Sequence, residues 1–264
     1  MIPDWLALLF FVLVPAVAAV AVHAVVRRLV PPDKLIPHHD VAGFLVAIVG
    51  VLYAVVLGFL VVTVWSTFND VQNDADAEAF AVADAYGMAG ALPEPQRTHV
   101  RGALAAYAVE VQTVEWPTLA SKGPDQRARA LILQALRELG AMRAPASEGF
   151  AEALREQSVV NNVVTSLRQV WDNRRKRLIE ATQHLQPALM LAICLGGLMV
   201  LAFVFLFGIA NEVLQLTMTS IVAGCIGLLF GVIVEFNSPY GGLTQVSPSA
   251  WNYIVVQNHF TPRP

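Results

Sequence analysis

Four stretches of this chain contain no Asp, Glu, Lys or Arg: Trp5 to Val26, Val41 to Trp65, Ala188 to Ile209 and Val213 to Val234, each 22 to 25 residues long. About 20 helical residues cross the hydrocarbon core of a bilayer. No water reaches an unpaired N–H or C=O there, so a spanning segment must satisfy its own backbone, as a helix does. The runs therefore predict four membrane helices. The totals agree: 56% of residues are hydrophobic, only 14% are charged, and the mean hydropathy is +0.57. That balance excludes a disordered chain, a coiled coil and an ordinary soluble enzyme, and a net charge of −3 argues against a nucleic-acid partner.

The 121 residues from Ser66 to Gln186 hold 13 basic and 15 acidic residues, which makes them water-facing. The expected class is an all-α membrane protein. A first transmembrane hairpin occupies 1–65 (spans about 5–26 and 41–65), a helical insert 66–186, a second hairpin 187–236 (spans about 188–209 and 213–234) and a C-terminal tail 237–264. The first run lacks a basic leader and is too long for a signal-peptide core, so it is read as a retained span. Within the insert, Val100, Leu104, Tyr107, Val111 and Val114 step by threes and fours, as do Ile132, Leu136 and Leu139. A third helical stretch runs from about Ser147 to Leu178. Breaks are expected at Leu92–Pro95, Pro117–Pro124 and Ala144–Pro145. Five basic residues (Arg168, Arg174 to Arg177) flank one side of the membrane against three (Arg27, Arg28, Lys34) on the other, which places the insert and both termini in the cytoplasm. Trp5 and Trp65 mark one interfacial belt, and Tyr240 follows the last span on that side.

The second span has two distinct faces. At 100° per residue, Gly43, Ala47, Gly50, Ala54 and Gly58 fall within about 80° of one another, and Leu45, Leu52, Val56, Phe59 and Thr63 lie opposite. The fourth span repeats the small-residue device with Ser220, Gly224, Gly227 and Gly231. Such stripes let helix backbones approach closely. Two readings stay open for the second span: tight packing inside one bundle, or a ring around an axis whose apolar constriction (Leu45, Leu52, Val56, Phe59) gates a pore by dewetting. His23 is the one titratable side chain inside a run and is read as interfacial. Pro15 should bend the first span, and Cys194 and Cys225 are read as small apolar packing residues at similar depth.

Directly after the second span, Asp70, Asp74 and Glu78 recur every four residues, with Asp84 on the same helical face. Arg174, Arg175 and Arg177 precede the third span. These charges form either cross-helix ion pairs and lipid contacts, or a vestibule that concentrates ions at a pore mouth. No nucleophile–base constellation, phosphate loop or metal motif is present, so no enzyme, cofactor or metal is expected. The pair His38–His39 makes a poor chelate, and Asp40 is expected to cap the second span.

A resemblance enters on particular residues. His39–Asp40–Val41–Ala42–Gly43–Phe44, Gly50–Val51–Leu52–Tyr53–Ala54–Val55 and Gly58–Phe59 to Trp65 look like the second span of the bacterial bestrophin-like domain family. So do Glu78–Ala79, Glu115–Trp116–Pro117, Pro239–Tyr240–Gly241–Gly242 and Val246–Ser247–Pro248, although Tyr240 stands where the family favours Phe. The resemblance implies a distant likeness to bestrophins, homopentameric anion channels with four spans, a cytosolic helical region and an apolar neck lined by the second helix. It implies a homo-oligomer, a pentamer by that likeness, in a bacterial inner membrane, with chloride as the permeant ion. The bestrophin neck and calcium-clasp residues have no residue-by-residue match in this chain and are not carried over. The expectation is an anion channel, against the alternative of a non-conducting membrane scaffold whose insert docks a partner.

Overall fold

A computed structural model describes residues 4–30, 35, 39–142, 150–181, 185–207, 209, 211–242 and 244–260, without the side chains of residues 4, 5, 7, 39, 150–153 and 156. The expectations for Trp5, Lys34, His38 and His39 concern side chains outside that set. Among the described residues the fold is all-helical. Four helices are long and apolar enough to cross a membrane. They are α1 (Asp4–Leu29), the first part of α2 (His39–Met88), α7 (Pro187–Phe205) and α8 (Glu212–Phe236). The chain divides into two compact units: Met1–Phe68 with His184–Gln245, and Asn69–Gln183 with Val246–Pro264.

In the first unit, α1 packs chiefly along α8 rather than on α2, and α7 packs on α8. The glycines of α8 explain the α1 contact. A Cβ on Gly224 would stand 3.2 Å from Val12, one on Gly231 2.6 Å from the Phe11 ring, and one on Gly227 would land on the Phe11 carbonyl oxygen and Pro15. Pro15 is accommodated inside an unbroken α1. α2 meets α7 through Tyr53, whose hydroxyl donates to the Ile193 carbonyl at 3.1 Å and whose ring fills the space left by Gly196 and Gly197. Leu57, Leu60, Val64, Ile193 and Ile233 form the core there. Asn211 caps α8 by accepting from the Leu214 N–H, and Pro187 opens α7, where its missing N–H costs nothing. Asp40 lies within the first turn of α2 rather than at its cap, and Tyr240 is buried rather than part of an exposed belt.

The second unit gathers the rest of α2, α3 (Gln96–Glu110), α4 (Trp116–Lys122), α5 (Gln126–Gly140), α6 (Phe150–Glu180) and α9 (Ser249–Gln257). The break expected between Pro117 and Pro124 falls at the end of that range, and the helix runs on through Pro117 to Lys122. A π turn over Val111–Glu115 joins α3 to α4, and the Trp116 N–H donates five residues back to the Val111 carbonyl. This shift takes up the N–H that Pro117 lacks. The helix stops at Gly123, whose φ of 72° is left-handed, and Asp125 then caps α5 by accepting from the Ala128 N–H at 2.7 Å. The tail is built into this unit: Ala250, Trp251, Ile254 and Phe260 are buried in the same core as Leu104, Tyr107, Ile132 and Leu167. Gln72 fixes its approach by accepting from the Ser247 N–H at 2.7 Å and donating to its carbonyl at 3.2 Å.

Gly227→Ala must push α1 away from α8, because the new methyl meets backbone rather than a yielding side chain. The expected loss is about 1–3 kcal/mol, read as a lowered thermal midpoint in detergent. A midpoint matching the parent protein would contradict the close α1–α8 approach.

Candidate functional site

The side of α2 that touches its own unit is a narrow seam, Tyr53, Leu57, Leu60 and Val64. At 100° per residue, the Gly43-to-Gly58 stripe centres about 90° to one side of that seam, and Leu45, Leu52, Val56 and Phe59 about 100° to the other. Among the described residues, little covers either flank. Leu45, Leu52, Val56 and Phe59 are 43%, 64%, 49% and 71% exposed. Ala47, Ala54 and Gly58 are exposed, and a Cβ on Gly50 or Gly58 would meet nothing within 4 Å, while Gly43 alone approaches a neighbour, Phe207 at 3.9 Å. The face directly opposite the seam carries Phe44, Ile48, Val51, Val55 and Val62, also exposed. Ser220 is half-buried and bonds back to the Thr217 carbonyl, while Gly224, Gly227 and Gly231 are packed against α1. The glycines of α8 are thus used within the chain, while Gly50 and Gly58 of α2 meet nothing among the described residues.

The same unit holds polar groups that close on one another. His23 is buried within the protein: it faces the Thr219 hydroxyl at 3.2 Å and the edge of Phe205. Arg27 donates to Gln215 at 2.5 Å, and Gln215 donates to the Phe207 carbonyl. Cys194 and Cys225 are exposed free thiols, and no group of three metal-ligating side chains occurs among the described residues.

The charges expected at a vestibule part company in the second unit. Asp70 and Asp84 are exposed, and half-buried Asp74 faces Lys176 at 3.8 Å. Arg175 is exposed beside Asp172 at 3.5 Å. Glu78, Arg174 and Arg177 instead lie inside, in a cluster completed by Glu115 and Tyr107. Arg177 donates to Glu78 at 2.5 and 3.1 Å and to Glu115 at 2.6 Å. Arg174 makes a two-pronged bond to Glu115 at 2.8 and 2.5 Å and also reaches the Asp125 carbonyl. The Tyr107 hydroxyl donates to Glu78, and the Asp125 N–H to Glu115 at 2.9 Å. Two carboxylates and two guanidinium groups cancel, which is what permits their burial. Burial pushes the Glu115 carboxyl up, and the arginines beside it more than reverse this, holding it below the usual range. Burial and the Glu78 carboxylate drive the Tyr107 phenol well above its ordinary value, so it stays a donor.

Sequence reasoning missed Glu115 and Tyr107 as members of this cluster. The signal was present: Glu115 lies four residues beyond Val111, on the apolar stripe of α3, where a lone acid needs a buried cation. Beside the cluster, Glu180 carries a carboxyl raised to about 7 by burial, by its hydrogen bond to Asp74 and by the Asp70 charge, against the opposing pull of Lys176.

Comparison with known proteins now decides the family. The sequence matches the Bestrophin-like domain over residues 13–251, most of the chain. The protein belongs to that family. Its fold is similar to solved structures of a bacterial bestrophin homologue from Klebsiella pneumoniae. One, a single-residue variant, aligns with a TM-score of 0.60 at 11% identity, over 94% of this chain and 99% of the other. Another, solved by zinc phasing, gives 0.56 at 13% identity over 97% and 99%. No curated protein sequence matches. The family and these neighbours agree with a bestrophin-like helical membrane protein.

Arg177→Met leaves Glu78 buried without its cation and should cost about 3–5 kcal/mol. Adding Glu78→Gln removes the stranded charge and should recover most of it. Additive losses in this double-mutant cycle, followed by chemical unfolding, would show that the two residues are not coupled. Glu180 gives a pH signature of defined sign. Its folded-state value near 7 exceeds the ordinary 4.5, so the folded chain holds the extra proton between those limits. Stability should fall as pH rises through that window. Glu180→Gln mimics the protonated form and should flatten the thermal midpoint between about pH 5 and about pH 8 relative to the parent.

Proposed function

We propose that the protein is a homo-oligomeric membrane ion channel with α2 at its axis. The observation that carries the reading is the bare glycine flank of α2. Small residues in membrane helices serve close backbone approach, and Gly50 and Gly58 have no partner backbone among the described residues. A second copy supplies one. With the seam turned outward to its own helices, the glycine flank of one α2 receives the bulky flank of the next. Leu45 and Val56 are the knobs. A contact between two different flanks is heterologous, and repeated rotation closes it into a ring.

The face left over points to the axis. It carries Phe44, Ile48, Val51, Val55 and Val62, with Phe59 and Leu52 at its edge, and no charge. Phe59 and Leu52 narrow this lining, and an apolar constriction of that kind gates by dewetting. The likeness of fold to solved bestrophin homologues supports the same plan. The positive-charge margin supports residues 66–186 and both termini in the cytoplasm, and the family resemblance supports a bacterial inner membrane.

The permeant ion is the finer question. The resemblance assigns chloride-type anions. The candidate charges left without a partner lean the other way, since Asp70 and Asp84 remain exposed once Arg174 and Arg177 are paired with carboxylates, Arg175 with Asp172 and Asp74 with Lys176. A reversal potential in a salt gradient reads the sign directly. In liposomes holding the purified protein, Phe59→Ala with Leu52→Ala should raise ion flux above the parent. Flux no greater than that of empty vesicles in both would overturn the channel reading. A monomer or dimer in mild detergent, in place of a ring of four or more, would favour the scaffold.

A further inference from the structure

Beside the buried charge cluster, a cavity of about 380 Å³ opens between one face of α6 and the first turn of α5. Its α6 wall is Trp171, Arg174, Arg175, Leu178 and Ile179, residues spaced by threes and fours and so on one side of that helix. Pro124, Asp125 and Arg129 close the other side. The left-handed turn at Gly123 brings these two walls together. The volume is that of a pocket for a small organic molecule.

The wall is apolar and partly aromatic, while the charge at the rim is positive and poorly matched. Arg129 is exposed, and its guanidinium has no partner among the described residues. Among the described residues Arg175 pairs with Asp172, and both side chains are more than half exposed, so that pair is weak. The Asp125 carboxylate is occupied as the helix cap, and Glu115 neutralises Arg174 at the floor. The α5 N-terminus adds positive potential on the same side.

The geometry points to a binding site for a small amphiphilic monoanion, an aromatic body of one or two rings bearing a carboxylate. The ring lies along Trp171 and Leu178, and the carboxylate meets Arg129 and Arg175, whose planar forks match its two oxygens. Arg174 links the site to the cluster beneath, since it lines the cavity and its guanidinium holds Glu115. The site is independent of whether the protein conducts.

The test is equilibrium binding of 2-naphthoate to the full-length protein in lipid nanodiscs, with empty nanodiscs subtracted. Saturable binding is expected. Arg129→Gln with Arg175→Gln should weaken it at least about tenfold, the loss of two charge-assisted contacts. Both residues are exposed, so the fold should survive. Arg127→Gln with Arg155→Gln, which removes equal charge elsewhere on the unit, should leave affinity unchanged. 2-Naphthalenemethanol, uncharged and of similar shape, should bind at least about tenfold more weakly. Four results would overturn the proposal: no saturable binding, equal loss in both double variants, equal affinity for the alcohol, or tighter binding of decanoate, which would assign a lipid-derived acid instead.

Discussion

Where water is absent, a polar group must find its partner inside the protein, and this one constraint explains both units. In the first, the backbone is the polar group, and helices answer it. Once α1, α2, α7 and α8 have paired their own N–H and C=O groups, their apolar side chains need no burial within the chain, since lipid accepts them. This is why only 11% of the most apolar window of the second span is buried inside the chain. The few polar side chains in the unit are handled as the backbone is. Gln215, Thr219, His23 and Arg27 satisfy one another and nearby carbonyls rather than facing outward.

In the second unit the constraint falls on charge. Glu78, Glu115, Arg174 and Arg177 are removed from water together, and each carboxylate accepts from more than one donor. Arginine suits both positions, because a planar fork can hold two oxygens at once and stays protonated under burial. The arrangement draws on α2, the π turn and α6, so it exists only when all three are in register. A core of leucine and valine tolerates sliding by a turn; a four-charge lattice does not. Its contribution is therefore to specify one packing, in addition to whatever stability it adds.

The spans were legible because charge exclusion over more than 20 residues has few causes. The helices of the insert were legible because apolar residues recur on one face. What the sequence could not reveal was which face meets which partner. Asp70, Asp74 and Glu78 are equivalent by spacing, yet Glu78 is enclosed by α3 and α6 while Asp70 stays in water, and only tertiary packing separates them. The tail looked like an appendage because a nine-residue helix has too little periodicity to declare itself; Trp251 and Ile254 were its only sign. Pro117 reads as the start of a break because a proline removes a donor; the π turn carries the helix past it, a local answer that spacing does not announce, and the chain turns only at Gly123.

The pairing within the second unit bears on what the first can do with ions. An arginine bound between carboxylates presents almost no net field a few ångströms away, since the opposing charges cancel. Arg174 and Arg177 therefore cannot draw anions toward the chain, whatever their number suggests in the sequence. The charges that act at a distance are the ones left in water, and among the candidates these are mostly carboxylates. If chloride is nevertheless the permeant ion, its preference would come from the proposed pore along α2, whose exposed face carries no charge. Selectivity would then rest on the energy of losing water at an apolar constriction, where weakly hydrated anions pass more easily than strongly hydrated ones.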